Sequence, residues 1–338
     1  MSAATSEAPA SLDPAALRST GVLRAFVPER FGGRRDTASG VARRIADVAS
    51  WDADAGWLAA VAAVTNLAVT ELPDGAQREV WGDGPDVLVV GTLAPQGAGA
   101  PAGDDLLVDA VSSPASGLDS ADWVIATVLD RGTGAPTRVL VPVADVRVEA
   151  TWNAIGLLGA RGDTAHLESV RVPGHRRRPL PPAGGGAPLT FFATLCFGAA
   201  VVGAARGAAA AVTTAVDEAG PAGRWSRPDV RAATSAALRR AHRADALLEG
   251  AVAALGARTA VDALGDRARA LAADAVIGAV QEAERALPEL IGALGPAALA
   301  PDHPLARALA DVTTGARHTA LSGTKAALAH EAALFGRP

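Results

Sequence analysis

From residue 189 to residue 205 the chain carries no charged side chain, and the run stops at Arg206. A helix over this stretch is apolar on every side, and such a helix has to be surrounded by protein. The run falls short of the roughly 20 residues a membrane span needs, and it is rich in Ala and Gly. It therefore reads as the buried centre of a bundle. Segments of helical period at 189–219, 228–255, 266–294 and 303–335, joined by short Gly/Pro breaks, give a four-helix bundle. Composition points the same way. Tyr is absent, aromatics make up 4%, and the 49% hydrophobic content rests on Ala, Leu and Val. Ala is the best helix former. At 338 residues the chain is long enough for about two domains or one large one.

Upstream, 38–50 and 52–71 are helix candidates, with Trp57, Val61, Val64 and Ala68 at helical spacing. Asp74 is placed to cap a short helix over 75–81. The period then changes. Runs at 87–93, 106–111, 123–129, 138–141, 146–149 and 166–172 are β-rich and separated by Gly, Pro, Asp and Ser clusters, which predicts a small antiparallel sandwich or barrel. Residues 173–188 read as a linker whose Arg176, Arg177 and Arg178 are solvated charge, with phosphate binding the alternative. The fold class is α+β: a helical domain over 1–82, a β domain over 83–178 and the bundle over 187–338.

Several function classes are excluded. Lys+Arg 31 against Asp+Glu 36 leaves a net charge of −5, without the basic stripe of a nucleic-acid binder. A lone Cys196 excludes a disulfide framework or a multi-cysteine metal site. No phosphate loop, dinucleotide fingerprint, HExxH or GxSxG motif is present, and Gly97, Gly99 and Gly103 do not match the dinucleotide pattern. The six His show no metal-ligand spacing. Residues 1–13 fit neither a secretory signal nor a span, so a soluble, cytoplasmic protein without a membrane partner is expected.

The order of helices, β zone and bundle resembles the acyl-CoA dehydrogenase fold, and local sequence supports this along most of the chain. Residues 20–33 (TGVLRAFVPERFGG) look like that family's N-terminal segment, and 91–97 (GTLAPQG) sit where its flavin-lining segment leaves the first strand. Residues 114–123 (PASGLDSADW), 151–159 (TWNAIGLLG) and 170–173 (VRVP) follow the family's β domain. Residues 302–307 (DHPLAR), then Asp311 and His318, are similar to the last long helix of one branch, the two-component flavin-dependent monooxygenases.

The resemblance implies a hydroxylase acting on a small aromatic or amine-bearing metabolite through a C4a-hydroperoxyflavin. Reduced, diffusible FAD or FMN would come from a separate flavin reductase. Ser116 would hydrogen-bond the oxygenated flavin, and His318 would act as base. Leu93, Ala94, Pro95, Gln96, Ser116 and Gly117 would line the ring. Arg224 and Arg227 would reach a flavin phosphate in a neighbouring subunit of a homotetramer or homodimer. On helical geometry Arg307, Asp311, Thr314 and His318 share one face, either solvated or lining a cleft. Asp311 and His318, about 10 Å apart along the axis, cannot form a direct dyad. Ser116 before Asp119 is also ordinary turn chemistry, Trp123 and Trp152 suit core anchors, and His303 and His330 suit surface or capping positions. In the monooxygenase pattern aromatics precede the Ser-Gly, whereas here the residues are Ser112, Ser113, Pro114 and Ala115, which implies an altered flavin pocket, a different reaction or no flavin at all. Two alternatives stand beside the hydroxylase: a flavin-free scaffold or binding protein, and an acyl-CoA dehydrogenase-like desaturase using a carboxylate such as Glu331, Glu249 or Glu282.

Overall fold

The computed structural model describes residues 14–34, 36–181, 187–220, 222–256 and 264–336. It opens with helices α1 (Pro14–Ser19), α2 (Ala38–Trp51), α3 (Ala53–Val69) and α4 (Asp74–Trp81). Thr37 caps α2 by accepting the Gly40 N–H, and Asp52 caps α3 by accepting the Ala55 N–H. From Ala55 to Val69 every α3 residue except Leu67 is buried. Two of its buried polar side chains donate across elements: Asn66 to the Leu23 carbonyl at 2.7 Å and Thr65 to the Val89 carbonyl at 2.7 Å. Asp74 does not cap α4. Pro73 holds the cap position, and the Asp74 carboxylate instead pairs with Arg30 and Arg78.

The β-rich runs form one seven-stranded sheet in the order β5-β6-β2-β1-β3-β4-β7. The strands are β1 (Val89–Ala102), β2 (Asp105–Ser116), β3 (Trp123–Asp130), β4 (Pro136–Pro142), β5 (Arg147–Glu149), β6 (Gly162–Val172) and β7 (Arg177–Pro179). This corrects the expected antiparallel sandwich or barrel: the sheet is single and mixed, with β1 parallel to β3. The reason is the length of β1, which continues through the glycines at 97 and 99 and turns into β2 only at Gly103, in the left-handed conformation. Its first half pairs with β3 and its second half also carries β2.

The arginines of the expected linker are not free solvated charge. Arg176 pairs with Glu79 of α4 at 2.5 Å, Arg178 donates to the Glu71 carbonyl at 2.6 Å, and Arg177 lies in β7. They tie the sheet edge to the first helices. Buried Arg138 of β4, 4% exposed, joins them through Glu71 at 3.0 Å. Glu71→Gln should therefore destabilise the fold, by less than the about 3–5 kcal/mol of breaking a fully buried pair, because Glu71 is 39% exposed. A shift in the urea midpoint reads this out, and an unshifted midpoint would show that Arg138 needs no carboxylate.

Helices α5 (Ala187–Ala219), α6 (Pro228–Leu255), α7 (Asp266–Leu294), α8 (Pro304–Gly315) and α9 (Gly323–Phe335) complete the chain. α5 passes through the centre, packed on α2, α3, α6, α7 and α8. The helix 188–219 is long and apolar enough to cross a membrane, yet 78% of its most apolar stretch is buried inside the fold. The final segment is not one helix. α8 stops at Gly315, a short 3-10 turn covers Thr319–Leu321, and α9 restarts after it. Side-chain caps make the break: His318 Nδ1 accepts the Ala320 N–H and Ser322 Oγ accepts the Lys325 N–H. His303 caps α8 in the same way, as its capping reading requires.

Candidate active site

Between α3, the bulged middles of β1 and β2, the start of α5 and the α8–α9 break lies a cavity of about 1490 Å³. Two prolines open its sheet wall. Pro95 has no N–H to give the ladder, and the β1–β3 register slips on either side of it. The β2–β6 register slips between Ser112 and Ala115, around Pro114. The two bulges hold each other: Gln96 Oε1 accepts the Ser113 N–H at 3.0 Å, and the Thr92 and Ser112 hydroxyls are 2.8 Å apart. Leu93, Ala94, Gln96 and Ser116 line the cavity. Pro95 and Gly117 do not, since Pro95 points to solvent and Gly117 turns the chain away at φ 79°.

Ser116 is positioned by Trp57, whose Nε1–H donates to Ser116 Oγ at 3.1 Å. The Ser116 hydroxyl thus keeps its own proton to donate, and no described residue accepts it. Trp57 is 6% exposed and packs against Phe197 with the rings tilted by 41° and their centroids 4.8 Å apart. His318 lies against both, 4.0 Å from the Phe197 ring and 5.6 Å from Trp57. Gly315 makes this packing possible, because a Cβ there would come within 3.1 Å of the Trp57 ring and 3.0 Å of Val201.

Burial, with a smaller contribution from Lys325, lowers the His318 pKa from 6.5 to about 4. The imidazole is therefore neutral at neutral pH. With Nδ1 accepting the Ala320 N–H, the ring proton resides on Nε2. His318 thus reaches the cavity from a turn and not from the helix face on which periodicity placed it, and it presents a donor. Asp311 stays on α8 and does not meet His318. Its carboxylate accepts the Leu157 N–H at 2.7 Å, and burial raises its pKa to about 6.

The aromatic gap before Ser116 is filled from elsewhere. Trp57, Trp152, Phe191 and Phe197 line the cavity, so Trp152 is a wall residue as well as a packing one. Trp123 instead lies under the Arg176 guanidinium, 5.1 Å away. Sequence reasoning saw Trp57 only as part of an apolar stripe and did not single out Phe197. The signal for Phe197 was its place in the uncharged run. Arg224 donates to the Leu294 carbonyl and Arg227 pairs with Asp229, and neither lines this cavity. Glu249 pairs with Arg43 and Glu282 with Arg240, away from it. Among the described residues the only carboxylate in the lining is Asp266, bound by Arg269. Cys196, fully buried with its thiol pKa raised by burial, offers no nucleophile.

The residues present fit a flavin ring. The cavity exceeds the about 300–1,000 Å³ of most small-ligand sites, its walls are largely apolar, and it holds an unclaimed Ser116 proton. Buried Arg138 also lines it, with Nε lacking an acceptor.

Comparison with known proteins agrees. Residues 195–323 match the family model for the acyl-CoA dehydrogenase C-terminal domain. The chain is 31% identical over 164 residues to the flavin-dependent monooxygenase oxygenase subunit HsaA of Rhodococcus jostii, covering 48% of this chain and 43% of that one. It is 29% identical over 216 residues to the oxygenase component of the FADH2-dependent resorcinol hydroxylase of a Rhizobium species, covering 58% and 53%. These matches span about half the length of the curated relatives. The crystal structure of 3-HSA hydroxylase from Rhodococcus sp. RHA1 superposes with a TM-score of 0.84 at 26% identity, covering 96% of this chain and 89% of that one. The chain shares the fold of 3-HSA hydroxylase over nearly its whole length, and in sequence it is similar to the acyl-CoA dehydrogenase C-terminal domain and to the oxygenase components of flavin-dependent monooxygenases.

Proposed function

We propose that this protein is the oxygenase of a two-component system, hydroxylating a small aromatic or amine-bearing metabolite with FAD or FMN reduced by a separate reductase. The observation that carries this reading is the pairing, in one largely apolar cavity, of a Ser116 hydroxyl held by Trp57 with the neutral ring of His318. Bound reduced flavin supplies the activation of dioxygen. The chain supplies the rest. Ser116 Oγ, pinned from one side by the Trp57 N–H, would donate a hydrogen bond to an acceptor on the bound ring. Trp57, Phe197 and Trp152 exclude water, which strengthens each polar contact in the site. His318 donates from Nε2–H to the substrate oxygen or nitrogen and so orients the group that activates the ring. It acts as a base, through Nδ1, only when the ring leaves its cap on Ala320.

A desaturase needs a carboxylate over the flavin. Asp266, committed to Arg269, does not offer one. Arg224 and Arg227 are assigned to a flavin phosphate of a neighbouring subunit in a homo-oligomer, and the protein to the cytoplasm. Titration with oxidised and reduced FMN and FAD tests the reading. Tighter binding of the reduced form, followed by oxygen-dependent hydroxylation of a phenol or aryl amine panel, is expected. Binding of neither form supports the scaffold alternative and overturns the proposal. Bleaching of bound flavin by an acyl-CoA supports the desaturase and overturns it equally.

A further inference from the structure

The loop between β5 and β6 is held at two points by carboxylates from helices far apart in sequence. Asp311 of α8 accepts the Leu157 N–H at 2.7 Å, and Asp54 of α3 accepts the Ala160 N–H at 2.9 Å. The held segment is locally unfavourable. Leu157 and Arg161 adopt positive φ, 53° and 40°, which side chains other than Gly rarely do. Gly156 sits so close to α8 that a Cβ would lie 2.2 Å from the Ala310 carbonyl oxygen. A bond inside the loop, from the Arg161 N–H to the Leu157 carbonyl at 3.0 Å, closes this turn, and the two carboxylates hold it from outside.

The loop in turn sets the site. Leu157 is part of the cavity wall, and Trp152, also in the wall, donates through Nε1 to the Gly156 carbonyl at 3.2 Å. The Ala160 carbonyl accepts the N–H of Gly117 at 2.8 Å, so it fixes the backbone next to Ser116. The two anchors are also spaced for this. Asp54 lies one helical turn before Trp57, the residue that holds Ser116 Oγ, and Asp311 precedes His318 on the segment that leads to it.

We propose that Asp54 and Asp311 are positioning residues that clamp the 156–161 loop from both sides and thereby fix Ser116 relative to His318. The clamp keeps two carboxylates where burial disfavours their charge. Burial raises the pKa of both, and the groups facing Asp311 are Asp54 of α3, Asp52 at the N-cap of α3 and Arg307 from its own helix. Arg161 on the loop is already taken by Asp163 at 2.8 Å. A carboxylate under such a penalty makes its N–H bonds at a cost to the fold, as expected of a group kept for geometry.

The kinetic half of this inference rests on the proposed function, but the structural half does not. Hydrogen exchange of the full chain, read over the segment 152–163, tests the structural half alone. Asp311→Ala and Asp54→Ala should each speed exchange there by about tenfold or more, the size expected from losing a charge-assisted hydrogen bond, with α6 and α7 unchanged. Asp311→Asn and Asp54→Asn keep an accepting oxygen and should retain most of the protection, so the test survives an Ala variant that does not fold. With reduced flavin, oxygen and a substrate accepted by the wild type, product formed per oxygen consumed should fall in the Ala variants and recover in the Asn variants, while KM changes little. Unchanged exchange in the Ala variants, or Asn variants as exposed as Ala, overturns the clamp. Altered exchange with unaltered product yield overturns its role in placing Ser116. A wild type that never hydroxylates removes the proposed function and leaves the exchange result to decide the clamp.

Discussion

His318→Ala is expected to lower kcat for hydroxylation by about 10²–10³-fold, the usual cost of removing one positioned hydrogen-bond donor, without weakening the binding of reduced flavin. The direction of the hydrogen bond decides what a second variant does. With Nδ1 capping Ala320, the ring meets substrate as a donor, so His318→Gln, which keeps an N–H donor, should recover part of the rate. If Gln is as inactive as Ala, the donor role fails and the ring works as a base away from its cap. The pH dependence follows from the same environment. A His whose folded pKa is lowered to about 4 from 6.5 stays neutral through the physiological range, so its protonation should not depress the rate above about pH 5. For stability the sign is the same: the unfolded chain binds the proton first, so this group's contribution is full above pH 6.5 and is lost as pH falls towards 4. His318→Gln should remove that acid-side loss in a series of denaturation midpoints. A kcat profile bending near pH 6.5 would show that the ring is not buried in the working enzyme.

Trp57 carries the largest structural consequence. Trp57→Ala removes a 6% exposed ring on which Phe197 and His318 pack and should cost about 3–5 kcal/mol, as for other buried Trp-to-Ala changes. It also frees Ser116 Oγ and unseats His318. Trp57→Phe separates these effects. It keeps an aromatic ring against Phe197 and His318 but loses the N–H to Ser116, so the stability cost should fall to about 0.5–1.5 kcal/mol. Product formed per oxygen consumed should still drop, because the hydroxyl is no longer pinned. Urea denaturation and the ratio of product to oxygen consumed check the pair. A Phe variant with wild-type yield would show that Ser116 does not need Trp57.

Periodicity alone located α6 and α7 at 228–255 and 266–294, the residues over which they form, because a long apolar stripe with breaks at both ends has few other solutions. The uncharged run at 189–205 likewise demanded a surrounded helix, and α5 is that helix. Family motifs brought Ser116 and His318 forward, and both line the cavity.

Other features depended on contacts between distant segments. The break after Gly315 was hidden because the helical pattern continues through it. It exists because His318 and Ser322 cap local N–H groups, and because Gly315 lets Trp57 approach. The mixed sheet was hidden because short apolar runs do not record which neighbour they pair with. The linker arginines looked solvated because Glu71 and Glu79 lie about a hundred residues earlier.

The chain by itself determined where helices must form and be buried, since that depends on side chains a few residues apart. Tertiary structure decided the site. Trp57 with Ser116, Phe197 with His318, and Asp54 and Asp311 with one loop are pairs joined by through-space bonds. No spacing along a single helix or strand encodes them.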